Sequence, residues 1–401
     1  VADSSSTSSS DPTGAARPDH PGDAPALRTV PPAPKPLHRE ELHRHRYPWA
    51  LLLAFGLVAA VEVGVRRVDP RSLILTRDDS DQARAVRDEI SLGEPIDIAF
   101  VGSSMTYQGV NAAQLQSKLS GSLGREVIVR NDAVRGGRID IFAASVRHLL
   151  RQGNKPRLIV VGTSMRDLRD YDLDFERLSM FWSFGDLASV IREHGYGQTK
   201  YLPTVIRNEI EPSLSLLKYR NGISTRLKQR FIDIDLEPMT ARGDPPPQHL
   251  GSRRNTMLTI NEFKSSANKR RMTQAYRIDL PPKPQRKFVD CVDQIIADCK
   301  QAGVKVMFVD MPISEPMQGL LINADRKRKS QEIEPMYRAT MAERCAAAGV
   351  PFLTSQELGL EWLLEDFYDS QHLNYAGALK MGEALVPAIE RALNSAPEPS
   401  P

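Results

Sequence analysis

Cysteine is scarce in this chain: three in 401 residues, Cys291, Cys299 and Cys345. An odd number excludes complete intramolecular pairing. Cys291 and Cys299 fall eight residues apart on what reads as one helix. That separation is about 12 Å of helical rise, whereas a disulfide needs Cα atoms within about 7 Å. They read as small buried thiols, and none has the spacing of a metal ligand. Aromatic residues make up only 6% of the chain and do not interleave with basic ones, which leaves no stacking surface for bases. Charge is nearly balanced, 53 Lys and Arg against 50 Asp and Glu, for a formal net charge of +3. That excess is too small to argue for nucleic acid as a partner. No internal repeat is visible.

What is present is ordinary for a globular protein: 41% hydrophobic and 26% charged residues, enough to build a sizeable core. Residues 1–36, beginning VADSSSTSSSDPTGAARPDHPGDAP, lack the apolar groups to offset the entropy of ordering and read as disordered. With the charged approach that follows, residues 1–47 form a tail. The run WALLLAFGLVAAVEVGV, Trp49 to Val65, is about the minimum length for a membrane span, with the anchor taken as residues 48–66. Tyr47 and Trp49 suit one interface and Arg66 and Arg67 the other. A buried core helix is the alternative, but the run has no polar face. It lacks the form of a cleaved signal peptide, since no small-residue cleavage site follows and the leader is too long. Lys35, Arg39, Arg44 and Arg46 precede the span and Arg66, Arg67, Arg71 and Arg77 follow it. By charge, the orientation is a draw.

From Ile96 onward, short apolar runs alternate with amphipathic segments. Strands are expected at Ile96–Val101, Glu126–Arg130, Arg157–Val161, Val304–Asp310 and Val350–Leu353. Helices are expected at Ala112–Leu119, Ile139–Leu150, Phe288–Lys300, Glu332–Ala348 and Leu379–Leu393. This rhythm predicts an α/β fold with a parallel five-stranded sheet covered on both faces, where ligands collect at the carboxyl ends of the strands. Residues 90–170 and 286–395 make its two parts, and 396–401 a tail. Residues 171–285 break the rhythm and read as a mostly helical insertion, either a lid or acceptor-binding surface or a solvated accessory subdomain. It opens on the dense Asp/Arg stretch around RDLRDYDLDFERL, continues through a mixed basic stretch, and ends near the Pro-rich EPMTARGDPPPQ.

In IDIAFVGSSMTYQGVN, Ile96 to Asn111, a buried strand meets Gly102, Ser103 and Ser104. A serine there can cap the helix that follows, or stand exposed on a strand-to-helix turn as a nucleophile. Near the other end, FYDSQHLNYAGALKMGEAL sets Asp369 and His372 three residues apart before a helix. A weakly nucleophilic serine needs a base, and the base needs a group to hold its tautomer. Alone, D-x-x-H is a weak signal.

Together these blocks resemble the SGNH hydrolase superfamily. Gly-Ser-Ser follows the first strand, NDAVRGG the second, GTS the third, and DSQH precedes the last helix. The resemblance covers Ile96 to Ala392 apart from the insertion and implies a flavodoxin-like α/β/α sandwich. It implies Ser104 as nucleophile with Asp369 and His372, and an oxyanion hole made by Ser104, Gly136 and Ser164. Two departures stand out: Ser103 replaces the Asp of the first block, and Ser164 the oxyanion Asn of the third. A hydroxyl reaches less far than an amide, and losing such a donor costs roughly a hundred- to a thousandfold in rate. Arg166, two residues on, could substitute for that donor or belong to the charged surface, and the surface is the favoured reading.

A span before such a domain is similar to the membrane-anchored group that includes the lipoteichoic-acid D-alanylation protein DltD and the alginate O-acetyltransferase proteins. That resemblance implies a single-pass protein of the bacterial cytoplasmic membrane whose main domain is extracytoplasmic, periplasmic or at the cell surface. It would be an O-acyltransferase passing an acyl group, acetyl foremost, through an acyl-serine to hydroxyls of a cell-wall or extracellular polysaccharide. A polytopic membrane-bound O-acyltransferase would supply the acyl group, because one span cannot carry it across a bilayer. No metal or cofactor is implied. A carbohydrate esterase or deacetylase would use the same triad, with water as acceptor. A catalytically diverged polysaccharide-binding or assembly subunit is the non-enzymatic alternative.

Overall fold

The computed structural model describes residues 47–67, 75–76, 79–153, 155–169, 171–210, 223, 237–238, 284–319 and 333–395. The tail expected before residue 47, the insertion's basic stretch beyond 210, its Pro-rich linker and the tail at 396–401 lie outside the described residues.

Helix α1, Tyr47–Arg66, has 20 residues, about 30 Å of helix and a match for a hydrocarbon core of ~30 Å. Among the described residues it is the one helix long and apolar enough to cross a membrane, and none of it is buried within the protein. Its single carboxylate, Glu62, pairs with Arg66 one turn on, at 2.9 Å.

The sheet consists of β1 (Ile98–Gly102), β2 (Val129–Asn131), β3 (Leu158–Thr163), β4 (Lys305–Asp310) and β5 (Phe352–Leu353). The strands are all parallel, in the order β2-β1-β3-β4-β5. Runs such as IAFVG and LIVVGT bury every residue, as strands covered on both faces must. In register, Gly102 lies beside Gly162 and Thr163 beside Asp310, which lines up the carboxyl ends of β1, β3 and β4.

The connecting helices are α2 (Asp79–Ile90), α3 (Ser104–Gly109), α4 (Ala112–Leu123) and α5 (Ile139–Arg151). The insertion contributes α6 (Phe175–Ser179), α7 (Phe184–His194) and α8 (Leu202–Ile210). The chain ends with α9 (Arg286–Gln301), α10 (Ile333–Ala347) and α11 (Tyr375–Asn394). The direction of travel across the sheet reverses after β2, so right-handed crossovers lay α4 on one face and α5 and α9 on the other. α11 returns beside α4, where Lys118 meets Glu383 at 2.8 Å and Gln114 donates to the Leu379 carbonyl. Across the other pair, Arg147 of α5 meets Asp298 of α9 at 3.3 Å.

Helix α2 lies N-terminal to residue 90, where the domain was expected to start. Ala83, Val86 and Ile90 nonetheless belong to the buried core. The described part of the insertion is mostly helical, and its Glu237–Pro238 pairs antiparallel with Leu75–Thr76. Asp186 of α7 joins it to α5 through Arg147 at 2.9 Å and Arg151 at 2.6 Å. Asn208 of α8 donates to the carbonyls of Ser179, Met180 and Trp182. The cysteines are all free, and burial pushes each thiol up to about 12.

Candidate active site

The structure gives the two serines of the pair different places. Ser103 is the cap of α3, its Oγ accepting from the Met105 N–H at 3.3 Å. Ser104, the first residue of that helix, is left with a half-buried hydroxyl. The turn is tight because Thr106 occupies the space above two adjacent glycines. A Cβ at either Gly102 or Gly162 would lie 2.1 Å from the Thr106 Oγ1, a distance no packing tolerates. Asn131, at the end of β2, holds the far end of α3: its Nδ2 donates to the carbonyls of Thr106, Tyr107 and Val110. The Thr106 carbonyl also accepts the Val110 N–H at 3.1 Å, and Asn131 meets the remaining acceptor capacity at the end of so short a helix.

The other half of the site comes from the loop before α11. Asp369 Oδ1 accepts from the backbone N–H groups of Gln371 and His372, both at 2.9 Å, a local turn that Asp is suited to make. The loop is closed by an antiparallel bridge between Phe367 and Leu373. It is anchored where Ser314 donates its N–H and its Oγ–H to the Ser370 carbonyl. Asn374 then caps α11, accepting from the Gly377 N–H at 3.0 Å.

The two halves meet. His372 Nε2 lies 2.8 Å from Ser104 Oγ, and His372 Nδ1 lies 2.7 Å from Asp369 Oδ2. A carboxylate only accepts, so Nδ1 carries the proton toward Asp369 and the Nε2 lone pair faces the serine hydroxyl. Burial pushes the Asp369 carboxyl up, but His372 and the two N–H groups outweigh it and hold it below its ordinary value. The imidazole is buried and fixed on its face by Tyr368, whose ring stacks on it at 5.5 Å and 8°. Tyr368 is itself tethered through its hydroxyl to the Gln108 Oε1. Neither Tyr368 nor Gln108 stood out in the sequence. A tyrosine beside D-x-x-H looks like any loop aromatic, and its contact with α3 spans 260 positions.

Gly136 lies on an exposed turn after β2. The Gly137 N–H donates to the Val134 carbonyl at 2.8 Å, and Gly136 takes a φ of 71°, as the third position of a type II turn requires. The Val134 N–H donates to the Gly102 carbonyl, so this turn is tied to the end of β1, close before Ser104. Ser164 is oriented elsewhere. Its N–H and its Oγ–H both reach the Asp167 Oδ2, at 2.7 and 2.9 Å. An oxygen that accepts the backbone N–H is not the donor of that pair, so the Ser164 proton points to Asp167. The S-x-x-D spacing that makes this possible was visible in the sequence as a helix-cap pattern.

Arg166 is not on the surface, contrary to expectation. It is 5% exposed because its charge is met by partners buried with it. Its Nη2 donates to the Gly137 carbonyl at 3.2 Å, and its Nε lies 3.7 Å from Asp167 Oδ1. Arg138 in turn donates to the Arg166 carbonyl at 2.8 Å and lies over the Tyr171 ring. The charged stretch after β3 thus builds a buried network that joins the Ser164 turn to the Gly136 turn. Among the described residues no three His, Cys, Asp or Glu side chains converge as a metal site.

No protein-family model matches the chain, and no curated protein matches it.

Proposed function

We propose that this chain is a membrane-anchored acyltransferase of the SGNH type, with a flavodoxin-like α/β/α domain. It moves an acyl group through an acyl-serine onto hydroxyls of a cell-envelope or extracellular polysaccharide. The observation that carries the reading is the continuous chain from Ser104 Oγ through His372 to Asp369, at 2.8 and 2.7 Å. The strand order, written 2-1-3-4-5 in chain numbering, supports the fold reading, because doubly wound flavodoxin-like sheets share it. Ser104 follows β1, where the order reverses and such sheets bind their ligands. An intact triad speaks against a subunit that only binds.

In the first step Ser104 Oγ attacks the acyl carbonyl of an ester or thioester donor while His372 Nε2 takes the hydroxyl proton. Asp369, ionised and hydrogen-bonded to Nδ1, stabilises the imidazolium. The tetrahedral intermediate collapses, the donor's alcohol or thiol leaves with the proton held by His372, and an acyl-serine remains. The oxyanion of the tetrahedral intermediate is met by the N–H of Ser104, in the unpaired first turn of α3, and by that of Gly136. A sugar hydroxyl, deprotonated by His372, then attacks the acyl-serine and frees Ser104. Helix α1 holds the domain at the membrane, and this reading has it outside the cytoplasm, supplied by a polytopic acyltransferase partner.

The test is rapid-mixing with p-nitrophenyl acetate, beside Ser104→Ala. Wild type is expected to release about one equivalent of p-nitrophenol per protein in a burst, then turn over slowly. Acceleration of the slow phase by an added sugar would mark transfer. Fast turnover in water alone would make the protein an esterase. Equal behaviour of wild type and Ser104→Ala would remove the catalytic reading.

A further inference from the structure

We infer that Arg177, from the inserted segment, is a third oxyanion donor and takes the role that Ser164 has left. The inference rests on the triad reading above.

Ser164 stands where the superfamily resemblance calls for a side-chain donor, yet its only hydroxyl proton is directed at Asp167. A hydroxyl has one proton to give. Its partner is fully enclosed, and Oδ2 also accepts the Ser164 N–H. Turning the hydroxyl toward a substrate would leave that buried carboxylate short of a donor, at a cost comparable to a lost charge-assisted hydrogen bond. The third-strand turn therefore offers no side-chain donor to an oxyanion.

The guanidinium of Arg177 lies against Gly136, the residue proposed as a backbone donor. A Cβ built on Gly136 would meet Arg177 Nη1 at 2.7 Å, Cζ at 3.5 Å and Nη2 at 3.6 Å. Nη1 is thus the nearest atom, and it occupies the space over a glycine that has no side chain to exclude it. Arg177 is held in that pose from its own helix. Asp174 caps α6, its Oδ1 accepting from the Arg177 N–H at 3.1 Å, while its Oδ2 lies 3.5 Å from Arg177 Nε. The neighbouring Leu178 and Ser179 are buried, so the helix that carries the arginine is rooted in the core. With Nε turned to Asp174, the Nη edge faces the Gly136 turn. None of its N–H groups has a hydrogen-bond acceptor among the described residues. The side chain is one-fifth exposed, so these donors are partly desolvated, and the turn they face is tied by the Val134 N–H to the Gly102 carbonyl, two residues before Ser104.

A fixed cation beside a developing oxyanion, shielded from bulk water, supplies the preorganised stabilisation on which acyl transfer depends. It also gives the insertion a part in the chemistry, since α6 lies just after residue 170, where the insertion was expected to begin.

The experiment compares wild type with Arg177→Ala, Arg177→Gln and Arg177→Lys in the burst assay, using the neutral ester p-nitrophenyl acetate. Thermal unfolding of each variant serves as a check, and Gln preserves the packed stem should Ala fail to fold. The expected result is an acylation rate constant reduced about a hundred- to a thousandfold in the Ala and Gln variants. Half-saturation should be unchanged, and Lys should recover part of the loss. Acylation at the wild-type rate in folded Ala and Gln variants would overturn the inference and leave the triad standing. A defect confined to an anionic sugar acceptor, with neutral-ester acylation intact, would likewise overturn it and make Arg177 an acceptor-binding residue. A wild type with no burst would remove the triad reading and this role together.

Discussion

At the scale of single residues, the proposed site divides into groups assigned to react and groups that hold. Asp369 does both: one carboxylate oxygen organises its own loop and the other meets His372. Replacing Asp369 by Asn keeps the volume but removes the charge that stabilises the imidazolium and selects its tautomer. Acylation by Asp369→Asn is expected to fall about ten-thousandfold, with the melting temperature lowered far less. A rate within tenfold of wild type in the same stopped-flow assay would show that His372 does not work through Asp369. Tyr368 and Asn131 belong to the holding group, the first fixing the imidazole plane and the second the far end of the helix that carries Ser104.

At the scale of elements, the insertion is joined to the core by buried residues such as Leu178, Phe181 and Leu187 and by the ion pairs of Asp186. Burial alone would push its carboxyl up, but Arg151 and the Ser183 N–H and hydroxyl hold it down to about 2. The folded value thus lies below the unfolded value of about 3.9. The stabilisation is then present above about pH 4 and lost as pH falls toward 2. With the carboxylate only 10% exposed, the gap corresponds to about 2.5 kcal/mol. Asp186→Asn should therefore lower the stability measured by urea unfolding at pH 7 by about that amount and differ little from wild type near pH 2. A deficit of the same size at both pH values would assign it to lost packing instead. The elements easiest to read in the sequence were those where composition and environment agree: the apolar runs of β1, β3 and β4 lie within a residue or two of their expected limits. Helix α2 was not legible, because Arg87, Asp88 and Glu89 look like a solvated surface and are in fact buried. Arg166 misled for the same reason: charge in a sequence does not show the partners that permit its burial. The start of α11 was expected at Leu379 and lies at Tyr375. Asn374 was the available signal, a good cap residue placed just before it.

At the scale of the whole molecule, the α/β domain depends on chain upstream of its motifs. A piece beginning at Asp69 retains α2 and is expected to fold and to show the same burst as the full chain. A piece beginning at Ser91 loses the buried Ala83, Val86 and Ile90, and with them the Arg87 that donates to the Asn208 carbonyl of α8. Core truncations of this kind cost several kcal/mol, so the shorter piece should melt lower or fail to fold. Equal melting curves for the two would show that α2 is dispensable. Removing residues 47–66 from the full chain should in turn release the protein from the membrane fraction into the supernatant of a high-speed spin, since α1 is the one candidate span among the described residues.

The interlock of Gly102, Gly162 and Thr106 constrains the routes by which this sequence can change. At 162, alanine meets the Thr106 Oγ1 at 2.1 Å, but its next contacts, Thr106 Cβ and Met311 Sδ, are at 3.1 Å. A lineage can therefore reach alanine at 162 only after residue 106 has lost the γ atom that stands there, and the same two changes made in the opposite order pass through a clashing intermediate. At 102, the Thr106 Cβ itself stands 2.6 Å away and the Gly162 carbonyl oxygen 2.8 Å, so no prior change at 106 short of glycine clears the Cβ and none moves the carbonyl. One glycine is a matter of history; the other is a fixed point through which every descendant with this turn must pass.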